Sequence, residues 1–259
     1  MPDRRTFLAS AVATLVTDPA MPADKTFELR NYTLVPGRRA AFTALFERDF
    51  IESQEAVGAR IVGTFRNLDD PDRFVWIRSF ADMPARAKAL DAFYTGPVWQ
   101  AHRTEANASI VDSDNVLLLR PVGPALQASG PRPPVGATEI PSTVIVATTY
   151  PLAAGGADEF GTYFAGATAP ELRRAGARLL ATFATEPSPN NFPRLPVRDR
   201  ETVFIALARF KDLAAYDRHT AALLESKVWR ERIAPELSRH TIGRPEVLRL
   251  QPTARSRLR

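Results

Sequence analysis

Tyr32 and Tyr150, Gly58-Ala59-Arg60 and Gly176-Ala177-Arg178, and Phe65 and Phe183 all recur at a separation of 118 residues. Further along the separation becomes 130: Phe74 matches Phe204, Phe80 matches Phe210, Asp82 matches Asp212, and Val98-Trp99 matches Val228-Trp229. An offset that holds over so many landmarks and jumps once by 12 describes a duplicated unit with one inserted loop. The period is too long and the copies too few for a solenoid. The chain of 259 residues therefore reads as two homologous domains, each of a size that can bury its own core or share one with its copy.

Each copy carries the same alternation of elements. Residues 27–34 read as a strand with Phe27 and Leu29 on one side and Glu28, Arg30 and Tyr32 on the other. Pro36-Gly37 turns it into a helix on which Phe42, Leu45, Phe46 and Phe50 share a face, repeated as Phe160, Tyr163 and Phe164. Gly58 and Gly176 suit helix C-termini, because glycine tolerates positive φ. Strands over 60–66 and 74–80 follow, then helices that Asp82 and Asp212 are placed to cap. A short helix bearing Trp99 and a strand over 116–120 close the unit.

The order is β-α-β-β-α-β, a ferredoxin-like α+β unit. Domain limits follow: a leader over 1–25, repeat 1 over 26–122, a Pro-rich linker over 123–142, repeat 2 over 143–253, and a tail over 254–259 whose Arg255, Arg257 and Arg259 read as unopposed. The inserted residues fall within 186–197, where a long hairpin loop reads first as a surface excursion and second as a lid.

The formal charge of +5 invites a nucleic-acid reading, but basic and acidic residues alternate and form no stripe, so none is expected. Without cysteine there is no disulfide framework, thiolate metal site or lipid anchor. No stretch reaches the length of a membrane span. Asp3-Arg4-Arg5-Thr6-Phe7-Leu8, followed by an Ala-rich apolar run, resembles a twin-arginine export signal and implies a periplasmic, soluble mature protein.

Phe27-Glu28-Leu29-Arg30-Asn31-Tyr32 with Pro36-Gly37, Gly58-Ala59-Arg60-Ile61-Val62-Gly63, Phe74-Val75-Trp76 and Val98-Trp99-Gln100 resemble the NIPSNAP domain. The resemblance extends to the second repeat, where Val146 and Thr148 replace Glu28 and Arg30. It implies a unit of the dimeric α/β-barrel superfamily, here with both antiparallel sheets pairing inside one chain. It supplies no reaction, because the family's molecular activity is not established.

Comparison of the copies narrows the search for a site. Val75 and Ile77 match Ile205 and Leu207, and this apolar face is expected to pack under the helices. The opposite face, Glu28, Arg30, Tyr32, Trp76 and Arg78, is expected to look into the barrel, with Arg66 nearby. One reading makes these residues a self-satisfied buried charge cluster, since buried charges must be paired. The other makes them a pocket for a small anionic or polar-aromatic ligand, with arginine as the planar fork and Trp and Tyr as stacking surfaces. No cofactor is required by the sequence; haem held through His219 is an alternative suggested by analogy with other α/β barrels. Three functions stay open: a small-molecule binder, an oxygenase-type or haem-dependent enzyme, and a protein-interaction module without ligand. Further homo-oligomerisation also stays open.

Overall fold

The computed structural model describes residues 23–123, 126 and 130–259. The export-signal motif lies outside them. Strand β1 (Thr26–Leu34) leads into helix α1 (Arg39–Leu45), which continues through a π-helical turn (Phe46–Phe50) into α2 (Ile51–Glu55). Strands β2 (Arg60–Asn67) and β3 (Arg73–Phe80), helices α3 (Met83–Thr95) and α4 (Pro97–Asn107), and strands β4 (Ile110–Asp112) and β5 (Val116–Pro121) complete the first repeat. The second repeats the plan: β6 (Val144–Leu152), α5 (Ala157–Tyr163), a π turn (Phe164–Thr168), α6 (Ala169–Arg174), β7 (Arg178–Thr185) and β8 (Thr202–Phe210). Helix α7 (Leu213–Glu225), a third π turn (Trp229–Ile233), α8 (Ala234–His240) and β9 (Glu246–Pro252) end it.

Local signals behave as their chemistry dictates. The Asp82 carboxylate accepts from the Ala85 amide at 2.8 Å and that of Asp212 from the Ala215 amide at 2.7 Å, each satisfying an orphan donor of a helix start. Gly58 and Gly176 take φ of +98° and +100°, the left-handed conformation that turns the chain from helix to strand.

Eight antiparallel strands close into a barrel, and β4 extends it beside β1. Within the first repeat the order is β2-β3-β1-β5, and within the second β7-β8-β6-β9. The second strand of each repeat pairs with the last strand of the other. Phe65 to Asn67 lie opposite Pro252 to Leu250, and Leu119 to Pro121 opposite Thr185 to Phe183. Closure removes the sheet edges that either repeat alone would expose.

The two faces are the reverse of the sequence expectation. Phe27, Leu29, Val75 and Ile77 point into the barrel and meet Ile145, Phe183, Ile205 and Leu207 of the other repeat in one apolar core. The rings of Phe27 and Phe183 lie 4.9 Å apart across the junction. Tyr32, Phe74 and Trp76 instead pack beneath the helices with Phe42, Phe46 and Phe50. The physical reason is polarity: aliphatic and phenylalanine side chains of both sheets fill the enclosed barrel, whereas the charged side chains lie where Arg86 and Gln54 of the helices add to their hydrogen bonds. The tail is also corrected. Arg255 bonds to the Glu47 carbonyl and to Glu52, and Leu258 joins the barrel core, so the C-terminus ties repeat 2 to repeat 1.

Candidate functional site

On β1 and β3, Glu28 lies opposite Arg78 and Arg30 opposite Trp76. All four side chains point toward the helices, with at most 2% of their surface exposed. Glu28 Oε2 accepts from Arg30 Nη1 at 2.7 Å and from Arg78 Nε at 2.6 Å, while Oε1 accepts from Arg86 Nε at 2.6 Å. Arg86 comes from α3, where it shares an inward stripe with Ala89, Leu90 and Phe93. One carboxylate thus faces three buried guanidiniums, and Nη2 of each of the three has no hydrogen-bond partner among the described residues.

Electrostatics follow from that count. Burial alone would push the Glu28 carboxyl up, but the fields of Arg78, Arg30 and Arg86 together outweigh it and hold the group far below the ordinary carboxylate range. Burial, followed by the like charges of Arg78 and Arg30, pushes Arg86 down even against its bond to Glu28. The cluster therefore carries an uncompensated surplus of positive charge.

Aromatic and amide groups complete the arrangement. The Arg30 guanidinium sits 5.3 Å from the Tyr32 ring and 5.6 Å from that of Trp76, and Arg78 sits 5.0 Å from Trp76. Arg30 Nε donates to the Tyr32 hydroxyl at 3.0 Å, and Arg78 Nη1 to Gln54 Oε1 at 2.9 Å. The π turn orients Gln54: its Nε2 donates to the Phe50 carbonyl at 2.9 Å, which leaves Oε1 facing Arg78. Beyond Tyr32, Gln54 and Trp76 opens a cavity of about 110 Å³, walled by Phe46, Phe50, Tyr94 and Trp99. Trp76 Nε1 is a further buried donor without a partner among the described residues.

The second repeat contributes directly. Its inserted loop is no surface excursion: Asn190 Oδ1 and Asn191 Oδ1 accept from Arg86 Nη1 at 3.0 and 2.7 Å. Phe192 is buried with Phe80, Ala89 and Leu90 and stacks on Tyr94 at 6.0 Å. Position by position, the second repeat itself carries no such cluster. Val146, Thr148, Ala206 and Ala208 replace Glu28, Arg30, Trp76 and Arg78, and Leu172 and Tyr216 replace Gln54 and Arg86.

Five of the six expected residues, Glu28, Arg30, Tyr32, Trp76 and Arg78, come together, although outside the barrel and not within it. Arg66 does not join them; its Nη2 donates to Gln251 Oε1 at 2.6 Å. Arg86 and Gln54 were missed, and the available signal was a polar residue standing in an otherwise apolar helical stripe. His219 lies in the second repeat between Phe210 and Tyr216, with Nδ1 3.0 Å from the Ala175 carbonyl. Burial pushes its imidazole down. His219, the alternative haem ligand, lies in the other repeat and does not line the cavity beside the cluster. Among the described residues no group of His, Asp and Glu is placed to hold a metal, and no helix is long and apolar enough to cross a membrane.

Fold and site define a single-chain α/β barrel in which one repeat carries a buried guanidinium cluster. Residues 27–124, which make up the first repeat, match the family model NIPSNAP. Among solved structures, an anthrone oxidase-like protein has 14% identity and a TM-score of 0.60, covering 89% of this chain and 92% of its own. A candidate monooxygenase from Fusobacterium nucleatum has 12% identity and a TM-score of 0.56, covering 90% and 94%. A NIPSNAP-like domain protein from Burkholderia xenovorans has 27% identity over 44% of this chain and 95% of its own, with a TM-score of 0.36. No curated protein matches the sequence.

Proposed function

We propose that the chain binds a small anion with a compact apolar body between the sheet and the helices of its first repeat, and that the second repeat is a diverged copy that lends the barrel and a cap. The observation that carries this reading is the ratio of three buried guanidiniums to one carboxylate, with Nη2 of each left without a partner among the described residues. A structural cluster gains nothing from an unbalanced buried charge, which costs free energy unless an anion completes it. The cavity of about 110 Å³ is lined by Tyr32, Gln54 and Trp76, which contact Arg30 and Arg78, and not by the guanidiniums themselves; it is somewhat smaller than the ~150 Å³ that accommodates benzene in an apolar core, so a ring enters only if a lining side chain gives way.

The oxygenase names of the structural neighbours suggest a second reading, an enzyme acting on such a molecule. Glu28 is a poor general base for it, because three arginines hold it ionised and fully engaged. Binding is therefore the better supported function.

Arg78→Met tests this. The methionine keeps apolar volume and Glu28 keeps Arg30 and Arg86, so the ligand-free protein is expected to lose little stability while benzoate binding, read by equilibrium dialysis, falls by at least about tenfold. A loss of about 3–5 kcal/mol with benzoate binding unchanged would mark the cluster as structural. For export, the paired Arg4 and Arg5 are read as the address of the mature periplasmic protein. The double substitution Arg4→Lys, Arg5→Lys is expected to leave the protein in the cytoplasm with its leader attached; normal periplasmic accumulation contradicts it.

A further inference from the structure

The loop inserted in the second repeat supplies Arg86 with two neutral partners at positions where acids would have balanced the cluster. Asn190 and Asn191 are isosteric with aspartate, and both present their oxygens to Arg86 Nη1. They are held there firmly. Asn191 Nδ2 donates to the Met83 carbonyl at 2.6 Å, Asn190 Nδ2 to the Leu195 carbonyl at 2.9 Å, and the Phe192 amide to Asn190 Oδ1 at 3.1 Å. Phe192 anchors the same loop in the apolar cluster of α3.

Resting on the anion-site reading above, we infer that Asn190 and Asn191 are charge-selectivity residues: they position Arg86 without neutralising it, and so tune the site to a dianion. Three guanidiniums against one carboxylate leave a surplus of two charges, and a dianionic head group such as a dicarboxylate matches it. A carboxylate at either asparagine position would cancel one of those charges from within. This explains why the insertion stands in the repeat that lacks the cluster. It crosses the barrel junction to cap the neighbour's site, and a cap for the second repeat's apolar counterpart would have nothing to select.

Malonate and its monoamide, malonamate, alike in size and differing by one charge, serve as probes in equilibrium dialysis with the full chain. Wild type is expected to bind malonate at least about tenfold more tightly than malonamate, since one unit charge acting in a desolvated site is worth well over 1.4 kcal/mol. Asn191→Asp is expected to bring the ratio near one, and Asn190→Asp provides an independent repeat of that substitution. Asn191→Ser, which loses a bond but adds no charge, is expected to keep the preference. A merely structural role predicts the opposite order, with the isosteric Asp harmless and Ser damaging. Retention of the wild-type ratio in both Asp variants would overturn the assignment to the asparagines. Equal binding of the two probes by wild type would overturn the dianion class and leave the anion site standing, whereas binding of neither would remove the site itself and this inference with it.

Discussion

Replacing Glu28 by glutamine is expected to cost about 3–5 kcal/mol of stability, the usual consequence of removing one partner from a buried ion pair. The effect belongs at the upper end, because the substitution leaves Arg30, Arg78 and Arg86 facing one another with no counter-charge. Denaturant unfolding of the two proteins at neutral pH measures it. The pH dependence carries a sign that can be checked. The carboxyl of Glu28 is depressed on folding, so its contribution is complete above the unfolded-state value of about 4.3 and fades as pH falls from there toward the folded value. The gap between wild type and Glu28→Gln should therefore be constant from neutrality to about pH 5 and narrow below about pH 4. A gap under about 1 kcal/mol at neutral pH would mean that the surplus charge is tolerated without its carboxylate.

Cleavage of the backbone near Gly130 is expected to leave two fragments that sediment together at the mass of the intact chain. Each half alone would expose the inward face of its sheet. For the first that means Phe27, Leu29, Val75, Ile77, Leu117 and Leu119, and for the second Ile145, Ile205, Leu207 and Leu250. Burial of such side chains is worth about 1.5–3 kcal/mol each. Their sum exceeds the roughly 4–15 kcal/mol that association costs in lost freedom. The C-terminal segment reinforces the pairing, since Thr253, Arg255 and Ser256 bond to Glu47, Glu52 and Thr64 of the other repeat. Two separate, well-behaved monomers in sedimentation velocity would show that the shared core contributes little. Because the cap on Arg86 comes from the second fragment, reassociation should also restore anion binding to the first.

The repeats, their element order and the side chains that share a strand face are all legible in the sequence. Those properties follow from local periodicity and from chain chemistry that repeats: alternation on β1 and β3, the helical stripe of Phe42, Leu45, Phe46 and Phe50, the caps at Asp82 and Asp212 and the glycines at 58 and 176. The association of Glu28, Arg30, Tyr32, Trp76 and Arg78 was legible for the same reason, since alternation places them together whichever way the face turns. Which face turns inward was not. Alternation is symmetric under exchange of the two sides, and only the packing of two sheets against each other decides that the face free of charged side chains fills the barrel. Tertiary structure alone also brought Arg86, Gln54 and the Asn190-Asn191 pair to the cluster. Asn190 and Asn191 lie more than 100 residues from Arg86 and follow no period, so the contact exists only because β2 pairs with β9 and β5 with β7, which sets the hairpin of one repeat beside the helix of the other.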